Sequence, residues 1–351
     1  MDAVLLSGIG DFRVDWELGL GYWLFVRMSV RKKLTGGPLA LLVAAVAFGA
    51  IEALILVGVL NPYWQQIICL AGIVTISALG LNLIYGYTGQ FSLGHAAFYG
   101  VGAYTAALVT RGIGGNSPRS SIAGLVAGAI LAGLVALLIG LPILRLKSDY
   151  LAIATLGFGI IVKVLLDNSD TAVPMMGGSR GMSAIPKLTT FAWVFVLVVV
   201  AVIVLRNIVF SGIGRALISV REDELAAEAV GIDSTRYKTL GFVIGCMYAG
   251  VAGGLYAHLF TFLHPSNFDF LKSIDVLLVV VLGGLGSISG TIVAAVAWTF
   301  LLEVLRIVLP PAVQDWRWVI YPLLLIVFML VRPGGIFAGT EFRFLRPTSK
   351  K

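Results

Sequence analysis

The 351-residue sequence has little charge for its length and few residues of the types that perform covalent or metal chemistry. Only 12% of its residues are charged, and it contains two cysteines and three histidines. Hydrophobic residues make up 59% of the chain, which is more apolar surface than a water-soluble globule can bury. The composition therefore excludes a soluble domain and predicts an integral membrane protein.

Several classes of site are missing. Cys69 and Cys246 lie in apolar runs, where a thiol is ordinarily a small packed hydrophobe, so we predict no disulfide framework, metal site or cofactor. The phosphate loop G-x-x-x-x-G-K-[ST] does not occur, so any ATP hydrolysis belongs to another chain. The series of buried Asp, Glu or His side chains that carries protons through a pump is also missing, which argues against a proton-driven secondary transporter.

What the chain has instead is a succession of apolar runs long enough to cross a hydrocarbon core of about 30 Å. Helices satisfy every backbone hydrogen bond within one segment, so these runs predict an all-α, polytopic transmembrane helix bundle. We expect about ten spans: residues 38–60, 64–86, 94–110, 121–144, 150–166, 190–210, 240–262, two within 274–309, and 319–331.

Basic residues give the orientation. With the amino terminus inside, the loops on the cytoplasmic side hold 16 of the 25 Lys and Arg residues, and the opposite loops hold 6. This asymmetry favours both termini and the long loop 206–239 in the cytoplasm. The net charge of +7 then reflects this bias and contact with the lipid bilayer, and it requires no nucleic acid. We divide the chain into an N-terminal extension (1–37), a transmembrane domain (38–337) and a basic tail (338–351).

A glycine-rich, polar segment separates the second and third predicted spans. Residues 86–94, the first break, read GYTGQFSLG, and His95 follows them. Glycine loosens a helix, and polar groups beside a broken transmembrane helix are natural solute contacts. Thr88, Gln90, Ser92 and His95 are therefore candidates for a solute path. The alternative is an ordinary turn in which Ser92 caps the following helix and His95 lies in its first turn.

A second segment is similar to the first. Residues 283–290, the second break, read GGLGSISG and again open an apolar helix. Paired glycine-interrupted segments in two halves of a membrane protein indicate an internal repeat around a central site, which adds Ser287 and Ser289 to the candidate path. Small residues also recur simply because they let transmembrane helices pack closely, so the predicted repeat is weak.

The long cytoplasmic loop contains a predicted short helix. Asp223 and Glu224 suit its first turn, because the helix dipole favours acidic groups there, and Gly231 is placed to end it in a left-handed conformation. Ala226, Ala227, Ala229 and Val230 form a small apolar face, which indicates docking to a partner. A solvated surface loop is the alternative.

Several ordered motifs resemble one known family. The segments SDYLAIATLGFG, GGSRGMSAIP, GRALISVREDELAAEAVGI, YAGVAGGLYAH, VVLGGLGSISG and RPGGIF resemble the branched-chain amino-acid ABC transporter permeases of LivM type, over residues 73–337. The resemblance implies a membrane subunit of an importer that moves leucine, isoleucine and valine. It implies a LivH-like companion permease, two ATPase subunits and an extracytoplasmic solute-binding protein in a prokaryotic inner membrane.

The same resemblance implies that residues 211–239, called the coupling loop below, dock on the ATPase. When the loop is aligned with the general importer motif on Gly231, Leu225 stands where that motif has a glutamate. Glu224 lies one residue before that position. The residues assigned to this contact are Arg221, Glu222, Asp223, Glu224, Ala226, Ala227, Glu228 and Gly231.

Other functions fit the sequence less well. A permease for another small polar solute, such as an amide, urea or a different amino acid, remains open. A secondary transporter or channel leaves the coupling loop unexplained. An intramembrane serine hydrolase would use Ser92 or Ser287 as nucleophile and His95 or His258 as base, but neither serine lies in a G-x-S-x-G turn.

Overall fold

The structure is a computed structural model. It describes residues 37–112, 117–144, 148–308, 323, 326–337 and 340–342, and the statements below refer to these residues. The predicted N-terminal extension and most of the predicted basic tail and last span lie outside them. The described chain is helical and contains no β-strand, as the all-α prediction requires.

Eleven α-helices are present in the described part of the chain. Helix α2 continues into a π-helical turn, Asn82–Tyr87, and short 3₁₀ turns connect α5 to α6 and α9 to α10. The helices are α1 Gly37–Leu56, α2 Pro62–Leu81, α3 His95–Gly112, α4 Pro118–Ile143, α5 Ser148–Asp167, α6 Phe191–Val209, α7 Gly212–Glu222, α8 Glu224–Ala229, α9 Ser234–Phe260, α10 Phe270–Gly283 and α11 Ile288–Val308.

Six helical segments of the described chain are long and apolar enough to cross a membrane. They are Pro62–Tyr87, Pro118–Ile143, Tyr150–Asp167, Phe191–Val209, Ser234–Phe260 and Ile288–Val308. The predicted count of about ten spans is not confirmed. Helix α10, with 14 residues, is about 21 Å long and is too short to cross the hydrocarbon core alone.

Small residues build the centre of the bundle. Helices α3, α4 and α9 pack against one another, and α2 lies between α9, α6 and α11. Buried glycine and alanine residues line these contacts, for example Gly102, Ala106, Ala132 and Gly250. Small side chains let transmembrane helices approach closely, where hydrophobic burial gives no advantage over contact with lipid.

The carboxyl ends of α2 and α10 meet the coupling loop. The π-helical turn after α2 contacts α7 and α9, and α10 and α11 both pack on α2. Both glycine breaks follow these helix ends, because α2 with its π turn is continued by residues 88–94 and α10 by residues 284–287. The fold therefore brings the two breaks and the coupling loop together at one end of the bundle.

Candidate functional site

The two breaks pack directly against each other. The Asn82 side chain, at the start of the π-helical turn, donates from Nδ2 to Ser287 O at 3.0 Å and to Thr291 Oγ1 at 2.9 Å. Its Oδ1 accepts a hydrogen bond from Gly286 N at 3.0 Å. One buried amide thus ties the π-helical turn that leads into the first break to the second break. At the breaks themselves, a Cβ atom on Gly86 would lie 2.5 Å from Gly286 N.

Arg221 connects the coupling loop to both breaks. Its Nη1 donates to Gly86 O at 2.5 Å, and its guanidinium also pairs with Glu222. Gly89 has a φ of +74°, and a Cβ atom there would lie 2.8 Å from Arg221 Cγ. A Cβ atom at Gly286 would lie 3.2 Å from Arg221 Nη1. A displacement of the Arg221 side chain would therefore change contacts at both the first and the second break.

A cleft of about 470 Å³ separates the first break from the coupling loop. Thr88 and Gln90 line it together with four of the acidic residues assigned to ATPase coupling, so the fold joins two predicted sites that lie far apart in sequence. The lining residues are Thr88, Gly89, Gln90, Leu144, Leu151, Val220, Arg221, Glu222, Asp223, Glu224, Glu228, Ser234, Thr235 and Lys238.

The candidate path residues are buried within the chain, and their exposed fractions range from 0% to 3%. Thr88 Oγ1 donates to Leu83 O at 2.8 Å. Both polar atoms of the Gln90 amide, and Ser92 Oγ, have no hydrogen-bond partner among the described residues. A buried polar atom without a hydrogen-bond partner raises the free energy of the folded chain, so these groups are suited to bind water or a polar solute.

His95 begins helix α3 deep inside the bundle. Its Nε2 lies 3.0 Å from Ser77 O, and Ser77 lies ten residues before the end of the π turn, or about 15 Å along the helix axis. His95 Nδ1 and Ser77 Oγ have no partner within the described structure. The first break thus runs back into the helix bundle, alongside α2, before α3 begins.

The start of α3 is capped from another helix. Ala96 N donates to Ser273 Oγ of α10 at 2.8 Å, while Ser92 Oγ makes no hydrogen bond. The alternative that Ser92 caps this helix is therefore wrong, because a side chain far along the sequence supplies the acceptor.

The serines of the second break face the C-terminal segment. Ser287 Oγ donates to Thr340 O at 2.9 Å, and Ser289 N and Oγ both donate to the Glu341 carboxylate. Glu341 lies in the predicted basic tail and is not among the site residues predicted from the sequence. The available signal was a single acidic residue among the basic residues of that tail.

The serine hydrolase alternative finds no support in the geometry. His258 binds Thr110 Oγ1 at 2.9 Å and Gly254 O at 2.7 Å, and neither it nor His95 bonds a serine hydroxyl in the described chain. The proposed nucleophile and base pairs are therefore not formed. No group of three His, Cys, Asp or Glu side chains in the described ranges could hold a metal ion.

The coupling loop contains two helices joined at Asp223. The Asp223 carboxylate accepts a hydrogen bond from Ala226 N at 3.0 Å and so caps α8. After α8, Gly231 has a φ of +87°, and Ile232 N bonds Ala227 O at 3.0 Å. The left-handed glycine stop is confirmed, and Glu224 lies in the first turn of α8 as predicted, whereas Asp223 is the N-cap that precedes this turn.

The predicted apolar face of α8 needs a correction. Ala227 is 3% exposed and packs inside this chain, so it does not belong to a surface offered to a partner. Leu225 and Val230 are 78% and 76% exposed instead. Helix α8 is too short to show a regular apolar stripe in its sequence. The buried position of Ala227 therefore cannot be distinguished from the exposed positions of its neighbours by the sequence alone.

An ion pair fastens α8 to α9. Lys238 Nζ lies 2.5 Å from Glu224 Oε2. Partial burial raises the pKa of Glu224, but the hydrogen bond from Lys238 and its positive charge outweigh this effect, so the pKa lies below its usual value. Glu224 is therefore ionised at neutral pH and holds the short helix in place.

Comparisons with known proteins agree with this architecture. Residues 63–330 match the family described as "Branched-chain amino acid transport system / permease component". The chain is 36% identical to the high-affinity branched-chain amino acid transport system permease protein LivM of Salmonella typhimurium, over 76% of this chain and 68% of the relative. The Escherichia coli LivM is 35% identical over 79% and 70%.

The chain is also similar to a second kind of permease protein. The LivH protein of Salmonella typhimurium is 27% identical over 75% of this chain and 91% of the relative. No solved structure matches the chain. Because the family match covers most of the chain and two relatives exceed 30% identity, this multi-pass membrane protein belongs to the permease component family of branched-chain amino acid transport systems.

Proposed function

We propose that this chain is one of two permease subunits of an ATP-driven importer for leucine, isoleucine and valine in a prokaryotic inner membrane. Its relatives include both LivM and LivH, which are permease proteins of high-affinity branched-chain amino acid transport systems. The proposed partners are a LivH-like companion permease, two ATPase subunits and an extracytoplasmic solute-binding protein. ATP is hydrolysed on the ATPase chains.

The contact of Arg221 with both breaks is the observation that supports this function best. An importer has to convert movement at an ATPase into movement of helices that line a path. Arg221 belongs to the only sizeable loop that the sequence predicts on the cytoplasmic side, and it bonds the backbone of the first break and lies beside the second. The contact gives a mechanical route from the docking surface to the membrane helices.

The proposed path passes the first break. Gln90, Ser92 and His95 Nδ1 are buried polar groups that lack partners in the described structure, as expected where water or a zwitterionic solute enters when the path opens. Ser287 and Ser289 belong to the facing break and remain in the proposed path, although in this conformation they bind the C-terminal segment.

The orientation supports the same proposal. We place the coupling loop and both chain termini in the cytoplasm, following the distribution of basic residues. Since the breaks adjoin the coupling loop, the cleft of about 470 Å³ then opens on the cytoplasmic side. Solute delivered by the binding protein would leave through this end.

The function is tested by reconstituting the chain with its four proposed partner chains and measuring uptake of radiolabelled leucine. Arg221→Ala should leave membrane insertion and assembly unchanged but lower uptake by about tenfold or more, because Arg221 transmits movement of the loop. Arg215→Ala, which truncates an exposed arginine on α7, is the matched control. Equal uptake by both variants would refute this coupling role, and absence of leucine uptake by the wild-type assembly would refute the assigned solute.

The path is tested by cysteine labelling. Single cysteines placed at residues 88, 90, 92 and 95, in a chain whose two native cysteines are replaced by alanine, should react with small hydrophilic thiol reagents in at least one nucleotide state. Protection of all four positions, both without nucleotide and in the ATP-trapped assembly, would exclude a lining role for the first break.

A further inference from the structure

The RPGGIF motif near the carboxyl end has no role in the docking or path described so far. The structure places it against the open end of α10. Ile336 N donates to Leu282 O at 2.8 Å, and Phe337 N donates to Gly283 O at 3.3 Å. The last carbonyl groups of a helix lack partners within that helix. The C-terminal segment therefore satisfies the helix end that leads into the second break.

The same segment satisfies the other side of the second break. Ile288 N donates to Glu341 Oε1 at 2.5 Å, and Ser289 N donates to Glu341 Oε2 at 3.0 Å, in the first turn of α11. Ser289 Oγ also donates to this carboxylate. A negative charge is favourable at a helix amino terminus, where backbone N–H groups are unpaired and the dipole is positive.

Glu341 also reaches the first break. Tyr87 OH, at the end of the π-helical turn, donates to Glu341 Oε1 at 3.4 Å. Phe342 N donates to Ser289 Oγ at 3.0 Å, which fixes the backbone beside the carboxylate. One carboxylate therefore contacts both breaks, as Arg221 does from the coupling loop.

We propose that Glu341 is a positioning residue for transport, and that residues 332–337 and 340–342 form a C-terminal clamp that holds the two breaks in their resting arrangement. This inference rests on the proposed importer function. Contacts made in only one conformation shift the equilibrium toward that conformation. Removing the Glu341 carboxylate should therefore lower the preference for the resting arrangement, so that ATP hydrolysis depends less on the loaded binding protein.

The test compares Glu341→Ala with wild type in the reconstituted assembly. The ratio of ATP hydrolysis with binding protein to hydrolysis without it should fall by about fivefold or more, mainly because hydrolysis without binding protein rises. Glu341→Gln keeps the side-chain shape and one acceptor oxygen and should give an intermediate ratio. Glu303→Ala, which removes a carboxylate near the other end of α11, is the matched control and should keep the wild-type ratio.

A second readout does not depend on transport. Amide hydrogen exchange at residues 288 and 289, measured on the purified chain in lipid nanodiscs, should be faster in Glu341→Ala because both amides lose their acceptor. Unchanged exchange would overturn the clamp. Faster exchange with an unchanged hydrolysis ratio would mean that Glu341 only caps the start of α11, and it would overturn the positioning role.

Two further outcomes are also decisive. If Glu341→Ala does not assemble, the hydrolysis ratio is measured for Glu341→Gln and Ser289→Ala instead, because each removes only part of the contact network. A wild-type hydrolysis ratio in both variants would overturn the proposal. If the wild-type assembly shows no stimulation by binding protein, the proposed importer function fails, and the positioning role in transport fails with it; the exchange measurement alone then decides whether the clamp exists.

Discussion

Gly89 is a residue of the first break that packs against Arg221 of the coupling loop. Its φ of +74° and its contact with Arg221 are both features that glycine permits and a larger residue does not. Gly231 has the same kind of backbone conformation, but a Cβ atom there would meet nothing within 4 Å. The two positions therefore separate the effect of close packing from the effect of backbone conformation.

We predict that Gly89→Leu lowers leucine uptake by about tenfold or more while the chain still inserts into the membrane. The left-handed conformation costs a non-glycine residue about 1 to 2 kcal/mol, and the new side chain also collides with Arg221. Uptake by the reconstituted assembly is the measurement. Gly49→Leu, at an exposed position of α1 where a Cβ atom meets no neighbour, is the control. Normal uptake by Gly89→Leu would contradict the importance of this contact.

At Gly231, we predict that valine impairs binding-protein-stimulated ATP hydrolysis and that asparagine does not. Asparagine tolerates the left-handed conformation, whereas a β-branched residue is strained by about 1 to 2 kcal/mol and redirects the chain after α8. Membrane insertion and assembly should be normal in both variants. Equal hydrolysis by Gly231→Val and Gly231→Asn would show that this turn does not position the docking helix.

At the scale of the element, helix α8 is the proposed contact with the ATPase. It is short, is capped by Asp223 and is tied to α9 by the Glu224–Lys238 ion pair. Leu225 and Val230 are the large apolar side chains it exposes. A rigid helix with exposed apolar groups fits a groove on a partner, while exposed ion pairs contribute little affinity.

We predict that Leu225→Asp weakens binding of the ATPase subunits, because it places a charge in an apolar contact. Leu225→Met keeps the apolar side chain and should bind normally. Co-purification of the ATPase subunits with each variant is the measurement, and folding should be unaffected because Leu225 is 78% exposed. Wild-type binding by Leu225→Asp would place the docking surface elsewhere.

Helix positions were predictable from the sequence, because apolar runs give them directly. The run 121–144 corresponds to α4 Pro118–Ile143, and the run 190–210 to α6 Phe191–Val209. The π-helical turn and the cap of α3 were not predictable. They depend on Asn82 and Ser273, whose partners lie 204 to 209 and 177 residues away in the sequence. Within an apolar run, the sequence does not reveal which way a polar side chain points or which residue it binds.

The site could be predicted in part. The glycine breaks and the coupling loop were located from local composition, and Gly231 from its position after a short helix. Their meeting through Arg221 could not be inferred, since it depends on how α7 packs on the end of α2. Glu341 was hidden for the same reason, because its partners Tyr87 and Ser289 come from two distant helix ends.

At the scale of the whole molecule, the sequence contains the proposed path and the proposed coupling loop but no phosphate-binding loop for ATP. The loop and the breaks form one contact network that includes Arg221 from the coupling loop and Glu341 from the C-terminal segment. We propose that another chain supplies the energy and that this network transmits the resulting movement to the breaks.

The most direct test measures ATP hydrolysis and leucine uptake in parallel, for the purified chain in lipid vesicles and for the assembly with companion permease, ATPase subunits and binding protein. We predict that the chain alone neither hydrolyses ATP nor accumulates leucine, and that the full assembly does both, with uptake lost when ATP or binding protein is omitted. Hydrolysis of ATP by the chain alone, or leucine accumulation without ATPase subunits, would contradict it.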